Sequence, residues 1–127
     1  KIVATMANEF ILIGDESKLV DCLGLNKPIP IEVIPEAVSL VQKKTKDLGA
    51  DPRIRMAVRK DGPVISDNGN FIIDLYFKQL ENLSEINNLL LSIPGVVETG
   101  LFIGMASQAF IAGSDGVKVL RAKKEEY

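Results

Sequence analysis

Ile31-Glu32-Val33-Ile34-Pro35-Glu36-Ala37-Val38 holds the change of period on which the fold turns. The first four residues are short, β-branched and extended. Pro35 then stands where a helix can begin, because its missing N–H would be an orphan donor in a first turn. Ile34, Val38, Val41, Thr45 and Leu48 follow at spacings of four, three, four and three. That spacing sets them on one face of a helix closed by Gly49.

Downstream, Ile54, Met56 and Val58 alternate with Arg53, Arg55 and Ala57, the pattern of a half-buried strand. Asp67-Asn68-Gly69 marks a tight turn, since Asn-Gly accepts positive φ at little cost. It leads into a strand over Phe71 to Phe77. Ser84 is the expected cap of a second helix, with Glu85 beside its positive end. Ile86, Leu89, Leu90 and Ile93 form that helix's apolar face, and Pro94-Gly95 stops it. Val96 to Phe102 reads as a final strand. Strand, helix, strand, strand, helix, strand is the split βαβ order of ferredoxin-like folds, assigned here to residues 30–104.

Upstream, Asn26-Lys27-Pro28-Ile29-Pro30 cannot continue a helix and reads as an extended linker. Before it, Phe10-Ile11-Leu12-Ile13-Gly14 is an unbroken apolar run, as expected of a parallel strand buried on both faces. Lys1 to Glu9 is the helix feeding it. Leu19, Val20, Cys22 and Leu23 read as a short helix stopped by Gly24, with Cys22 a small apolar residue beneath it. Beyond the lobe, Ala109 to Gly113 and Val117 to Leu120 flank the turn Ser114-Asp115-Gly116. They are expected to return to the sheet begun by Phe10. Arg121 to Tyr127 is charged and expected to fray. The first residue is Lys1, and its neighbours read as the interior of a longer element, so a chain continued upstream is expected.

Composition narrows the chemistry. Of 127 residues, 46% are hydrophobic and 25% charged, the balance of a globular protein. The net charge of −2 makes no field that would gather nucleic acid. No apolar stretch approaches the roughly 20 residues of a membrane helix. No secretory signal opens the chain, so a cytoplasmic location is expected. There is no histidine and a single cysteine. Imidazole-based catalysis, the usual zinc sites and an internal disulfide are thereby excluded. Acid–base chemistry would fall to Asp, Glu or Lys.

Asp15-Glu16-Ser17-Lys18 is the most suggestive loop. It stands beyond the carboxyl end of a strand, where open α/β sheets bind ligands. A helix starting there would aim free N–H groups at an anion, and Lys18 in its first turn would oppose the macrodipole unless an anion were bound. The alternative is an ordinary capping loop, with Asp15 or Ser17 as cap and Lys18 solvated. Arg53, Arg55, Arg59 and Lys60 form a basic strand face that would meet a phosphate or simply water. Asp67-Asn68-Gly69-Asn70 lacks the acidic spacing and closing Glu of a calcium loop.

Six blocks taken together resemble the type A ribose-5-phosphate isomerases in order and separation. They are Lys1-Ile2-Val3-Ala4, Asp15-Glu16-Ser17-Lys18, Pro30-Ile31-Glu32-Val33-Ile34-Pro35, Asp67-Asn68-Gly69-Asn70, Ile93-Pro94-Gly95-Val96-Val97-Glu98-Thr99-Gly100-Leu101-Phe102 and Asp115-Gly116-Val117-Lys118. The resemblance implies a Rossmann-like α/β catalytic domain, residues 1–29 and 105–127, interrupted by a ferredoxin-like lid and oligomerisation lobe, residues 30–104. It implies interconversion of ribose 5-phosphate and ribulose 5-phosphate through an enediolate, in the non-oxidative pentose phosphate pathway, without metal or organic cofactor.

Only one substrate contact of the family carries over, onto Lys18, whose implied role is to hold the sugar phosphate. The family's general-base Glu directly precedes the pair matched by Lys1-Ile2. Its Asp-Gly-Ala-Asp-Glu loop, Lys-Gly-Gly-Gly stretch and Ser/Thr phosphate loop lie further upstream. This chain by itself is therefore expected to be inactive. The family pattern further implies a homodimer or homotetramer, with no nucleic acid and no membrane as partner. The competing expectation is a non-catalytic ferredoxin-like module for oligomerisation or small-molecule binding.

Overall fold

A computed structural model describes residues 1–122. In chain order the elements are α1 (Ile2–Met6), β1 (Ile11–Asp15), a 3-10 turn (Glu16–Lys18), β2 (Ile29–Val33), a second 3-10 turn (Pro35–Ala37), α2 (Val38–Asp47), β3 (Ala50–Ile54), β4 (Phe71–Phe77), α3 (Leu83–Leu91), β5 (Val96–Thr99), β6 (Gln108–Gly113) and β7 (Gly116–Arg121). They make mixed α/β architecture in two compact units. One is Lys1–Asp21 with the segment from Phe102 onward, and the other is Cys22–Leu101. Of the tail expected to fray, residues 123–127 lie outside the described residues, and Arg121 closes β7.

In the Cys22–Leu101 unit, four strands run in the order β3-β4-β2-β5, every neighbouring pair antiparallel. The period of two sorts their side chains. Ile29, Ile31 and Val33 of β2 and Ile73 and Leu75 of β4 are buried on one face, as are Val41 of α2 and Leu90 of α3. Full burial of such a side chain contributes about 1.5–3 kcal/mol, so this cluster is the main stabilising core. Thr45 is buried as well, and its hydroxyl donates to the Val41 carbonyl at 2.8 Å.

Several boundaries differ from the sequence reading. The proline-rich stretch is extended, but it is no linker: β2 begins at Ile29 and contains Pro30. Pro30 is tolerated beside β5 because its carbonyl accepts from Gly100 N–H at 2.7 Å, one residue past the end of β5. The missing N–H therefore removes a bond only at the ladder's end. β3 starts directly after Gly49, whose φ is +87°, and ends at Ile54, leaving Met56 and Val58 59% and 99% exposed. The alternation Ile54, Met56, Val58 has the correct parity, because Ala50 and Pro52 are the buried members of the strand. Beyond Ile54 the ladder thins to an Arg55 N–H donation to Ile72 and an isolated bridge from Met56 to Pro63. Helix α3 is capped by Asn82, not Ser84: its side-chain oxygen accepts from Glu85 N–H at 3.1 Å. Ser84 already lies inside the first turn. β5 stops at Thr99, short of Phe102.

In the other unit, β1 pairs in parallel with β6, and β6 pairs antiparallel with β7 across the turn closed by Gly113 and Gly116. The two strands therefore return to the sheet of β1 as expected, β6 beside β1 and β7 outside β6. β1 is not buried on both faces. It is an edge strand, and Leu12 and Ile13 are 45% and 85% exposed. Among the described residues of this unit, no layer covers that strand. The helix expected over Leu19 to Leu23 is also absent, and Cys22 lies half-buried among turns and bends. Leu19, at φ −70° and ψ 135°, turns the backbone out of the helical region. The few residues left before Gly24 cannot offset the cost of a helical nucleus.

Candidate functional site

The carboxyl ends of the parallel pair β1 and β6 point the same way, and the Glu16–Lys18 turn is built on that end. Asp15 organises it. Its Oδ1 accepts the Ser17 N–H at 2.9 Å, and hydrogen bonding by Ser17, through its side chain first and its N–H second, holds the Asp15 carboxyl below its usual range, with a smaller contribution from the Lys18 charge. Leu19 N–H closes the turn on the Glu16 carbonyl at 3.1 Å. A single turn carries no helix N-terminus, so the array of free N–H groups expected of this loop is missing. Any attraction for an anion comes from the Lys18 side chain.

Lys18 is placed by a glycine. A Cβ built on Gly14 would lie 3.7 and 3.6 Å from the Cβ and Cγ of Lys18, and 4.0 Å from Ile111 Cδ1. The lysine stem therefore runs over the strand's bare backbone beside Ile111, with the ammonium exposed. Among the described residues Lys18 has no ion-pair partner within 4.0 Å. A pocket of about 260 Å³ opens on the same sheet face, lined by Glu16, Leu19, Ile111, Gly113, Asp115 and Lys118 among others. The arrangement suits a small ligand bearing both an anionic group and hydrogen-bond donors.

The basic strand face does not form a free cationic surface. Arg53 binds Asp51 through Nε and Nη2 at 2.9 and 2.7 Å and lies over the Tyr76 ring at 4.7 Å. Arg55 pairs with Asp74. Arg59 and Lys60 remain in an exposed loop. The Asp67-Asn68-Gly69-Asn70 segment is a turn, with Gly69 at φ +78° and its N–H on the Ser66 carbonyl at 2.9 Å. It is tied to Glu32, whose Oε1 accepts from Ser66 Oγ, Asn68 Nδ2 and Asn70 Nδ2 at 2.6, 3.0 and 3.0 Å. Among the described residues no cluster of three or more Asp, Glu, Cys or His is suited to a metal ion.

Glu32, Asp74 and Lys118 were not singled out from the sequence. The donors to Glu32 lie 34 to 38 residues away, and no local pattern connects them. Lys118 is placed on the same face as Ile111 by the β6–β7 register.

Comparison with known proteins gives the family. The family model described as Ribose 5-phosphate isomerase A (phosphoriboisomerase A) matches residues 1–116. Ribose-5-phosphate isomerase A of Methanothermobacter thermautotrophicus is 46% identical over 121 residues, covering 95% of this chain and 53% of the relative. The protein of the same name from Thermosynechococcus vestitus is 46% identical over 106 residues, covering 84% and 45%. Among solved structures, ribose 5-phosphate isomerase A from Methanocaldococcus jannaschii superimposes with a TM-score of 0.90 at 43% identity, covering 96% of this chain and 53% of that one. A D-ribose-5-phosphate isomerase in complex with phospho-erythronic acid gives 0.92 at 43% identity, with the same coverage. The chain spans about half the length of the relatives it matches. With sequence blocks, family model and three-dimensional likeness in agreement over nearly all its residues, this chain belongs to the ribose 5-phosphate isomerase A family.

Proposed function

We propose that this chain is the C-terminal part of a ribose-5-phosphate isomerase that interconverts ribose 5-phosphate and ribulose 5-phosphate. The reaction moves a proton between adjacent carbons. A base removes the proton from C2 of the open-chain aldose and returns it at C1 by way of an enediolate, while the hydroxyl proton passes from O2 to O1, so that the carbonyl moves from C1 to C2. A chain without histidine is compatible with this chemistry, because a glutamate whose surroundings tune it can serve as the base. In the family that glutamate directly precedes the Lys-Ile pair matched by Lys1-Ile2. The observation that carries the reading is Lys18 at the carboxyl end of the β1–β6 pair, with no ion-pair partner among the described residues, on the residue to which the family resemblance assigns the sugar phosphate.

In this reading residues 1–29 and 105–127 belong to a Rossmann-like catalytic domain, and the parallel β1–β6 pairing supports it. Residues 30–104 are a ferredoxin-like lid lobe. The strand order β3-β4-β2-β5, with one helix after its first strand and one before its last, supports that part. The parent protein is cytoplasmic and self-associates as a homodimer or homotetramer. It uses no metal or organic cofactor and has no nucleic acid or membrane partner. No described helix is long and apolar enough to cross a membrane.

The test is kinetic. In the parent chain, Lys18→Ala raises KM for ribose 5-phosphate about 10- to 150-fold, the range of a charge-assisted contact, while the fold survives. An unchanged KM removes Lys18 from the site. The 127-residue chain alone shows no turnover, and measurable isomerase activity in it would overturn the placing of the base upstream. A second reading, a non-catalytic module, draws support from the self-contained core of Cys22–Leu101. A parent protein without isomerase activity would favour it.

A further inference from the structure

We propose that Lys118 is a second cationic contact for the substrate phosphate, facing Lys18 across Ile111. The inference rests on the reading that Lys18 holds the sugar phosphate.

The register of the three-stranded sheet makes the case. Gly14 of β1 pairs with Ile111 of β6, and Ile111 pairs with Lys118 of β7. Residues paired across neighbouring strands project from the same face, so Gly14, Ile111 and Lys118 form one row. With strands about 4.8 Å apart, the two ends of that row are separated by about 10 Å. Lys18 lies over the Gly14 end, and Lys118 rises from the other. Ile111 between them is buried, 8% exposed, and offers a low apolar floor. Four-carbon stems allow both ammonium groups to reach one phosphate above it.

Neither lysine has an ion-pair partner within 4.0 Å among the described residues. The pocket at Lys118 is lined also by Glu16, Leu19, Ile111 and Asp115, with Lys18 outside its lining and next to Ile111. Carboxylates accept from hydroxyl groups and ammonium groups donate to phosphate oxygens. The lining thus suits a polyhydroxylated phosphate ester, whose sugar hydroxyls can donate to the carboxylates while its phosphate accepts from lysine. β7 is also an edge strand, and a lysine on an edge can serve only to discourage strand pairing. The experiment separates the two roles.

In the parent isomerase, Lys118→Met keeps the stem and removes the charge. KM for ribose 5-phosphate is expected to rise about ten-fold, the lower end for a charge-assisted contact, with kcat little changed. The dependence of KM on ionic strength is expected to weaken, since one screened attraction is gone, and Lys118→Arg restores most of both. Melting curves of the variants establish that the fold is intact. Unchanged KM and salt dependence in Lys118→Met, alongside a raised KM in Lys18→Ala, would overturn this inference and leave the isomerase reading standing. An unchanged KM in Lys18→Ala would instead remove the reading on which it rests.

Discussion

The Arg55 guanidinium holds the Asp74 carboxylate in a two-pronged grip, Nε to Oδ2 at 2.9 Å and Nη2 to Oδ1 at 2.6 Å. Asp74 is only 8% exposed, and a carboxylate so placed is costly unless a charged donor meets it. The pair explains how β4, a central strand, carries an acidic residue amid Ile72, Ile73 and Leu75.

Removing the guanidinium strands that carboxylate. Arg55→Ala is expected to lower unfolding stability by about 2 kcal/mol, below the range for a wholly buried pair because the Arg55 side chain is 43% exposed. Urea unfolding of the variant measures it. A loss of only a few tenths would mean that water already satisfies Asp74.

Glu32 makes stability depend on acid. The donors Ser66, Asn70 and Asn68, in that order of weight, hold its carboxyl below the usual value. A folded-state pKa below the unfolded one contributes stability that is fully present above the unfolded pKa of about 4.3. That contribution is lost as pH falls through the folded pKa. Glu32→Gln is therefore expected to lose about 1 kcal/mol at neutral pH, with the gap to wild type closing below pH about 4. Denaturant melts at both pH values read it out. A gap that stays constant would show that the charge is immaterial.

Two glycines in the left-handed region separate strain from crowding. Gly49 has φ +87° and open space where a Cβ would stand. Gly95 has φ +93°, and a Cβ there would collide with that of Ala37. Gly49→Ala is expected to cost about 1 kcal/mol in backbone strain alone. Gly95→Ala adds overpacking, for about 3 kcal/mol in all. Equal shifts in Tm would contradict the collision.

The strand and helix faces were largely legible. Val41 and Thr45 were placed on one helical face, and both are buried. Ile54 was read with the correct parity, though its strand was set too far downstream. A period of two repeats identically along an extended segment and does not say where pairing stops. That limit is set by β4, whose ladder to β3 runs only from Ala50 to Ile54. The Phe10 to Gly14 run was read as doubly buried because apolar character alone counts toward a core. Exposure of Ile13 depends on what lies above it.

At the site, Lys18 was legible as a lysine beyond a strand end, but the helix supposed to carry it was not formed. Leu19 leaves helical geometry, and Asp15 caps a single turn in its place. The basic strand face dissolved into pairs, because Arg53 and Arg55 find Asp51 and Asp74, the second of them 19 residues away.

Residue order alone determined the strand–helix–strand–strand–helix–strand succession of residues 30–104, the buried face of α2, the family blocks and the position of Lys18 after β1. These rest on interactions between residues a few positions apart, which periodicity and turn chemistry record directly. Tertiary structure decided the rest: which donors surround Glu32, which carboxylate meets Arg55, and that Lys118 shares a row with Ile111. Those meetings join chain segments through strand register, and register is set only when a whole face packs against its core.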